Sequence, residues 1–145
     1  MKQPLPSTID FWKQLVLASS DLMATIEDAL LSNGLPPLSW YDALLEVEKA
    51  GSAGVRPFEL QERLLLPQSG TSRLLQRMEQ AGYIARLDCK ADGRGYVVVV
   101  TKEGKATRRR MWPIYADVLI DGIETRLSDD RIEDLTDALK KTRGV

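Results

Sequence analysis

Histidine is missing from this chain, and cysteine occurs once, at Cys89. Without histidine the commonest metal ligand and general base is gone, and a lone thiol can form no internal disulfide. No Ser/His/Asp or Cys/His set can therefore be assembled. The chain also lacks a phosphate-cradling Gly-rich loop ending in Lys-Ser/Thr, and an HExxH zinc motif. No catalytic residue, metal ligand or cofactor site is expected, and an enzyme is the reading least supported. Long apolar runs are absent too. Leu64-Leu65-Leu66 and the four valines from Val97 to Val100 fall far short of the roughly 20 residues that cross a bilayer. Met1-Lys2-Gln3-Pro4 opens without the apolar core of a signal peptide, so the expected address is the cytoplasm, with no membrane partner.

What is present is an ordinary globular composition, 43% hydrophobic and 28% charged over 145 residues, enough for one domain with a real core. The net charge of −1 argues at first sight against a polyanionic partner. Its distribution reverses that impression. Across 56–110 there are 12 Lys and Arg against 6 Asp and Glu, a local +6, while the remainder carries 8 against 15, or −7. A basic middle between acidic ends suits a module that turns one face to a polyanion and stays soluble elsewhere.

Apolar spacing predicts a long first helix over 7–32, capped by Ser7 or Thr8 and stopped by Asn33-Gly34. It carries more apolar residues than a core of this size can bury, which points to a partner chain. Leu35-Pro36-Pro37 forms a rigid link. Ser39 with Asp42 reads as a capping box opening a second helix to about 50. Val55-Arg56 is long enough for a single extended pairing, and Pro57 fits the first turn of a third helix over 57–65.

The fourth helix, 68–81, is the informative one. Thr71, Leu74, Leu75 and Met78 cluster on one side, and Ser69, Arg73, Gln76 and Arg77 on the other, so one face packs while the other can donate to base edges and phosphates. A strand over 83–88 follows, then Lys90-Ala91-Asp92-Gly93-Arg94-Gly95, then a β-rich run over 96–101. This is a hairpin with a basic tip. Helix, link, helix and basic hairpin together make a winged helix, whose second helix enters the major groove of duplex DNA while the wing reaches a neighbouring minor groove. Beyond it a helix begins at Lys102-Glu103-Gly104 and carries Arg108-Arg109-Arg110, with a kink or break expected at Pro113. Ser128 caps a last amphipathic helix.

These residues resemble the MarR family of bacterial regulators over nearly the whole chain. The wing is the most specific part. Asp92-Gly93-Arg94-Gly95, followed by a β run ending Val100-Thr101-Lys102-Glu103-Gly104, is similar to that family's Asp-x-Arg wing signature. Ser72-Arg73-Leu74-Leu75-Gln76-Arg77-Met78-Glu79-Gln80-Ala81-Gly82-Tyr83-Ile84 is similar to its recognition helix running into Gly and an apolar pair, and Leu127-Ser128 opening a final helix is also familiar. The resemblance implies a mainly α fold with a small β wing, in which a winged helix-turn-helix domain (35–101) joins an α-helical dimerisation region (1–34 and 102–145). It implies a homodimer acting as a transcription regulator, of repressor type, on a pseudo-palindromic operator and released by a small aromatic ligand. It places Gln68, Ser69, Ser72, Arg73, Gln76, Arg77 and Lys90 at the DNA, with Arg94 in the minor groove. Asp92 would hold the wing in shape through an ion pair with Arg86.

Departures from the family pattern fall at Gly70, where Thr or Ser often faces DNA, and at Thr71, where an apolar inward residue is usual. Gln61 replaces a small residue and Arg56 a capping hydroxyl, so the third helix is expected to pack or start differently. Trp12, Trp40, Tyr41, Trp112 and Tyr115 could line an aromatic effector's pocket or simply pack in the core. Cys89 could act as a redox switch, although no second thiol of the same subunit can resolve a sulfenic acid. A second reading of the basic face stays open, a winged-helix interaction module docking an acidic protein. Against it, such modules more often expose Leu, Phe or Trp than Ser, Gln and Arg.

Overall fold

The computed structural model describes residues 1–67, 69–89 and 95–145. In chain order the elements are α1 (Pro6–Ser32), α2 (Leu38–Ala50), a 3-10 turn (Gly51–Ala53), α3 (Pro57–Arg63), α4 (Thr71–Gln80), β1 (Ile84–Asp88), β2 (Tyr96–Val100), α5 (Lys102–Leu119), a π-helical turn (Ile120–Glu124) and α6 (Asp129–Arg143). Contacts divide the chain into two compact units, one of residues 30–113 and one of residues 1–29 with 114–145. The first of these, the winged-helix unit, takes in the first part of α5.

In the winged-helix unit, α2, α3 and α4 close over the β1–β2 hairpin. The two strands pair antiparallel, from Ile84 opposite Val100 to Asp88 opposite Tyr96. Val55 adds a single bridge to Val98, with both backbone hydrogen bonds made, as the short extended segment predicted. The core gathers Ala43, Leu44 and Val47 of α2, Val55, Leu60 of α3, Leu74, Leu75 and Met78 of α4, Ile84 and Val98. Burying each Leu or Met side chain contributes roughly 1.5–3 kcal/mol, so this cluster fixes how α4 is rotated about its axis.

Two expectations need correction. Ser39 and Asp42 make no capping box: α2 begins at Leu38 after Pro37 without a side-chain cap. Asp42 is instead 8% exposed and accepts hydrogen bonds from the backbone N–H groups of Leu65 (3.2 Å) and Leu66 (2.9 Å). The carboxylate faces inward because it sits one turn after Leu38 on the buried stripe of α2. Nor does Pro113 break α5, which runs through it. Proline's fixed φ is helical, only one backbone donor is lost, and Pro113 is exposed, where water can serve the carbonyl left over. The irregularity comes later, at the π turn. There a Cβ on Gly122 would lie 2.6 Å from Leu22 Cδ2, so this turn passes close to α1.

The helical unit holds little core of its own. Ile26 is its one buried apolar residue among the described residues, while Ile9, Phe11, Trp12, Val16, Leu17, Met23, Ile120, Leu127 and Leu135 are all exposed. Ser128 caps α6 by accepting from Arg131 N–H, with Asp129 and Asp130 in the first turn and Lys140, Lys141 and Arg143 in the last, matching the helix dipole at both ends. Among the described residues no helix is long and apolar enough to cross a membrane.

The Val-Thr-Lys-Glu-Gly segment after β2 has a packing reason. Thr101 Oγ1 accepts from Gly104 N–H (3.0 Å) and donates to the Gly82 carbonyl (2.6 Å), while Thr101 N–H donates to the Tyr83 carbonyl (3.1 Å). One hydroxyl caps α5 and ties it to the turn after α4. A Cβ at Gly104 would stand 2.1 Å from that Tyr83 oxygen. Gly104→Ala is therefore expected to destabilise the protein by about 2 kcal/mol or more, read as a lower urea midpoint; an unchanged midpoint would contradict the close approach.

Candidate nucleic-acid interface

The inward face of α4 is sealed, with Leu75 and Met78 fully buried and Thr71 and Leu74 nearly so. Helical geometry then turns Ser72, Arg73, Gln76 and Arg77 to solvent, and Ser69 just upstream is also exposed. Five of the residues predicted to meet DNA thus lie on or beside one exposed helical face. Gln68, Lys90, Asp92 and Arg94 lie outside the described residues.

Arg86 is placed, though with partners the sequence did not suggest. Its guanidinium forms an ion pair with Glu79 of α4 (2.9 Å) and lies 4.4 Å from the centre of the Tyr96 ring. It joins α4 to both strands of the hairpin, while the expected partner Asp92 lies outside the described residues. Cys89, half-buried, continues the hairpin by donating from its backbone N–H to the Gly95 carbonyl (3.3 Å).

The departures at α3 shape the flank of this face. Arg56 precedes α3 in extended conformation with no side-chain cap, and its guanidinium reaches the root of the wing, 3.2 Å from where a Cβ on Gly95 would stand. Gln61 is exposed and, with Pro57 and Phe58, lines an open groove completed by Ser69, Gly70, Thr71, Ser72 and Arg73. Phe58 is 63% exposed there, a residue the sequence reading passed over. Thr71 replaces an inward apolar residue at a cost, because its buried Oγ1 has no hydrogen-bond partner among the described residues.

The aromatic residues proposed for an effector separate into different environments. Trp40 packs edge-on against Tyr83 at 5.7 Å, and Tyr41 stacks on Trp112 at 6.0 Å. Tyr115 is half-buried and Trp12 is exposed, both in the helical unit. Arg108 lies 6.0 Å from the Tyr41 ring centre and ion-pairs with Glu48 of α2. Of the three consecutive arginines it alone turns inward, while Arg109 and Arg110 are exposed. The hydrogen bond from Arg108 holds the Glu48 carboxyl below its ordinary pKa, and the same bond raises that of Arg108.

Comparison with known proteins places this architecture. Residues 33–95 match the model of the MarR family. HTH-type transcriptional regulators of Bacillus anthracis and Bacillus thuringiensis, themselves uncharacterized, are 33% identical over 73 residues, half of this chain and 46% of theirs. The chain spans about half the length of these curated relatives. The fold as a whole is similar to that of Sco3205, a MarR family transcriptional regulator from Streptomyces coelicolor solved in complex with DNA (TM-score 0.87, 22% identity, 99% of this chain and 90% of that one). It is also similar to AbsC from the same organism (TM-score 0.84, 23% identity, 99% and 97%) and to a mutant MarR of E. coli complexed with operator DNA (TM-score 0.81, 21% identity, 97% and 99%). The fold class follows: a mainly α fold with a two-stranded wing, in which residues 33–95 are similar to the MarR family.

A group whose folded-state pKa is lowered adds stability above its ordinary pKa and loses it as pH falls through the lowered value. Glu48→Gln should accordingly cost about 1 to 2 kcal/mol at neutral pH, and the gap from the parent protein should close in acid. Urea titrations at about pH 7 and about pH 3 check this. A gap that does not change with pH would remove the ion pair from the account.

Proposed function

We propose that the protein is a sequence-specific DNA-binding transcription regulator of repressor type that acts as a homodimer in the cytoplasm on a pseudo-palindromic operator. The observation that carries this reading is α4, whose apolar face is locked in the core while Arg73, Gln76 and Arg77 stand exposed beside a hairpin. Arg and Gln are the side chains that read guanine and adenine edges in the major groove, and Ser69 and Ser72 can donate to phosphates at the helix start. Gln68, outside the described residues, is proposed to join them at the DNA. Lys90 and Arg94, also outside the described residues, would add cations to the contact, with Arg94 proposed for the minor groove and Asp92 for shaping the wing.

Dimerisation follows from the helical unit. Its long helices leave Phe11, Trp12, Leu17 and Leu135 exposed around almost no core, and a second copy would bury them. Two winged helices related by a two-fold axis then meet half-sites roughly 10 bp apart. Release by a small aromatic ligand would draw on the stacked pair Tyr41 and Trp112, with Trp12, Trp40 and Tyr115 as the further aromatic candidates; Trp112 is 46% exposed, so aromatic surface remains accessible beside Tyr41. Exposed Phe58 favours a second reading, docking of an acidic protein on the same basic face.

Arg94→Ala should weaken operator binding roughly tenfold to a hundredfold in fluorescence anisotropy while leaving the dimer mass unchanged in sedimentation. The parent protein's affinity should fall roughly a hundredfold or more between about 50 and 200 mM salt. Salt-insensitive binding would count against phosphate recognition, and full affinity in the Arg94 variant would remove the wing from the contact.

A further inference from the structure

The turn between α3 and α4 is held from behind by one side chain. The Asp42 carboxylate lies 23 and 24 residues upstream of the two N–H groups it accepts from, those of Leu65 and Leu66, at 3.2 and 2.9 Å. It is 8% exposed and is the one buried acidic residue among the described residues. Although Leu64 packs against the core, Leu65 is 75% exposed, so its own side chain does little to fix this end of the turn. Polar clamping takes its place. A buried carboxylate without partners would be costly, and two consecutive backbone donors aimed at its two oxygens offset that cost only in one turn geometry.

The helix that carries Asp42 is itself anchored. Neighbouring Tyr41 stacks on Trp112 of α5, and Glu48 on the same helix pairs with Arg108 of α5. The chain reaches Ser69 and the start of α4 a few residues beyond Leu66. We infer that Asp42 is a positioning residue for DNA recognition: by fixing the turn on a rigid α2 it sets where the N-terminal end of α4, with Ser69, Ser72 and Arg73, meets the duplex. This inference rests on the proposed DNA-binding function. Ser39, the other half of the supposed capping box, has no such part in it.

Hydrogen bonds to a charged group are worth enough that losing both should loosen the turn measurably. In Asp42→Ala the Leu65 and Leu66 amides should exchange with solvent at least about tenfold faster than in the parent, while the amides of β2 keep their protection. Affinity for a genome-selected operator should fall about tenfold, with non-specific duplex binding at low salt kept within about twofold, because phosphate attraction tolerates a misplaced helix and base reading does not. Asp42→Asn, which retains one carbonyl acceptor, should recover part of both properties. It also carries the test if the alanine variant fails to fold. Unchanged protection at Leu65 and Leu66 would overturn the clamp. Equal loss of specific and non-specific binding, or a loss that only follows the unfolded fraction, would overturn the positioning role. If the parent protein selects no DNA, the proposed function fails while the exchange result still judges the clamp.

Discussion

Everything distinctive about this protein depends on α4 being unable to rotate. Leu74, Leu75 and Met78 are locked against Leu44, Val47, Leu60 and Ile84 in one dry cluster, and turning the helix by a single residue would expose side chains that together contribute several kcal/mol. That constraint decides which groups face water. Arg73, Gln76 and Arg77 are presented as a fixed row because the opposite side of the same helix has nowhere else to go. Recognition by a rigid element needs less ordering on binding than recognition by loops, so under the proposed function core packing and DNA reading would be two results of one arrangement.

Around that helix, α2 acts as the frame. Its inner stripe supplies Ala43, Leu44 and Val47 to the core, Asp42 to the turn ahead of α4, and Tyr41 and Glu48 to α5. Arg86 does related work from the other side, tying α4 to the hairpin through Glu79 and Tyr96. The winged-helix unit therefore has its polar interactions where apolar contacts are thin. The helical unit has the opposite character, with apolar side chains and almost no core, and the proposed two-fold pairing would give those side chains somewhere to go.

Legibility from the sequence tracked the physics of each feature. The inner and outer faces of α4 could be read from helical periodicity alone, because burial there repeats with the helix. The hairpin was readable from β-branched runs around a glycine-bearing turn, and Ser128 from its place before two acidic residues. Asp42 was misread because a local rule, Ser followed three residues later by a carboxylate, competed with a tertiary contact 23 residues away. The signal available was a carboxylate standing one turn after Leu38, on the apolar stripe. The break allowed for at Pro113 does not occur, because an exposed helix side can lose one hydrogen bond to water without breaking. The partners of Arg86 and Arg108 had no local pattern, since Glu79, Tyr96 and Glu48 reach them only through the fold.

The central claim is that two copies of this exposed helix and wing read one duplex. Hydroxyl-radical footprinting on fragments that the protein selects from its own genome tests it most directly. The account predicts protection on one face of the DNA in two windows about one helical turn apart, centred on an inverted repeat. Failure to enrich any sequence, or protection with neither two-fold symmetry nor helical spacing, would contradict it.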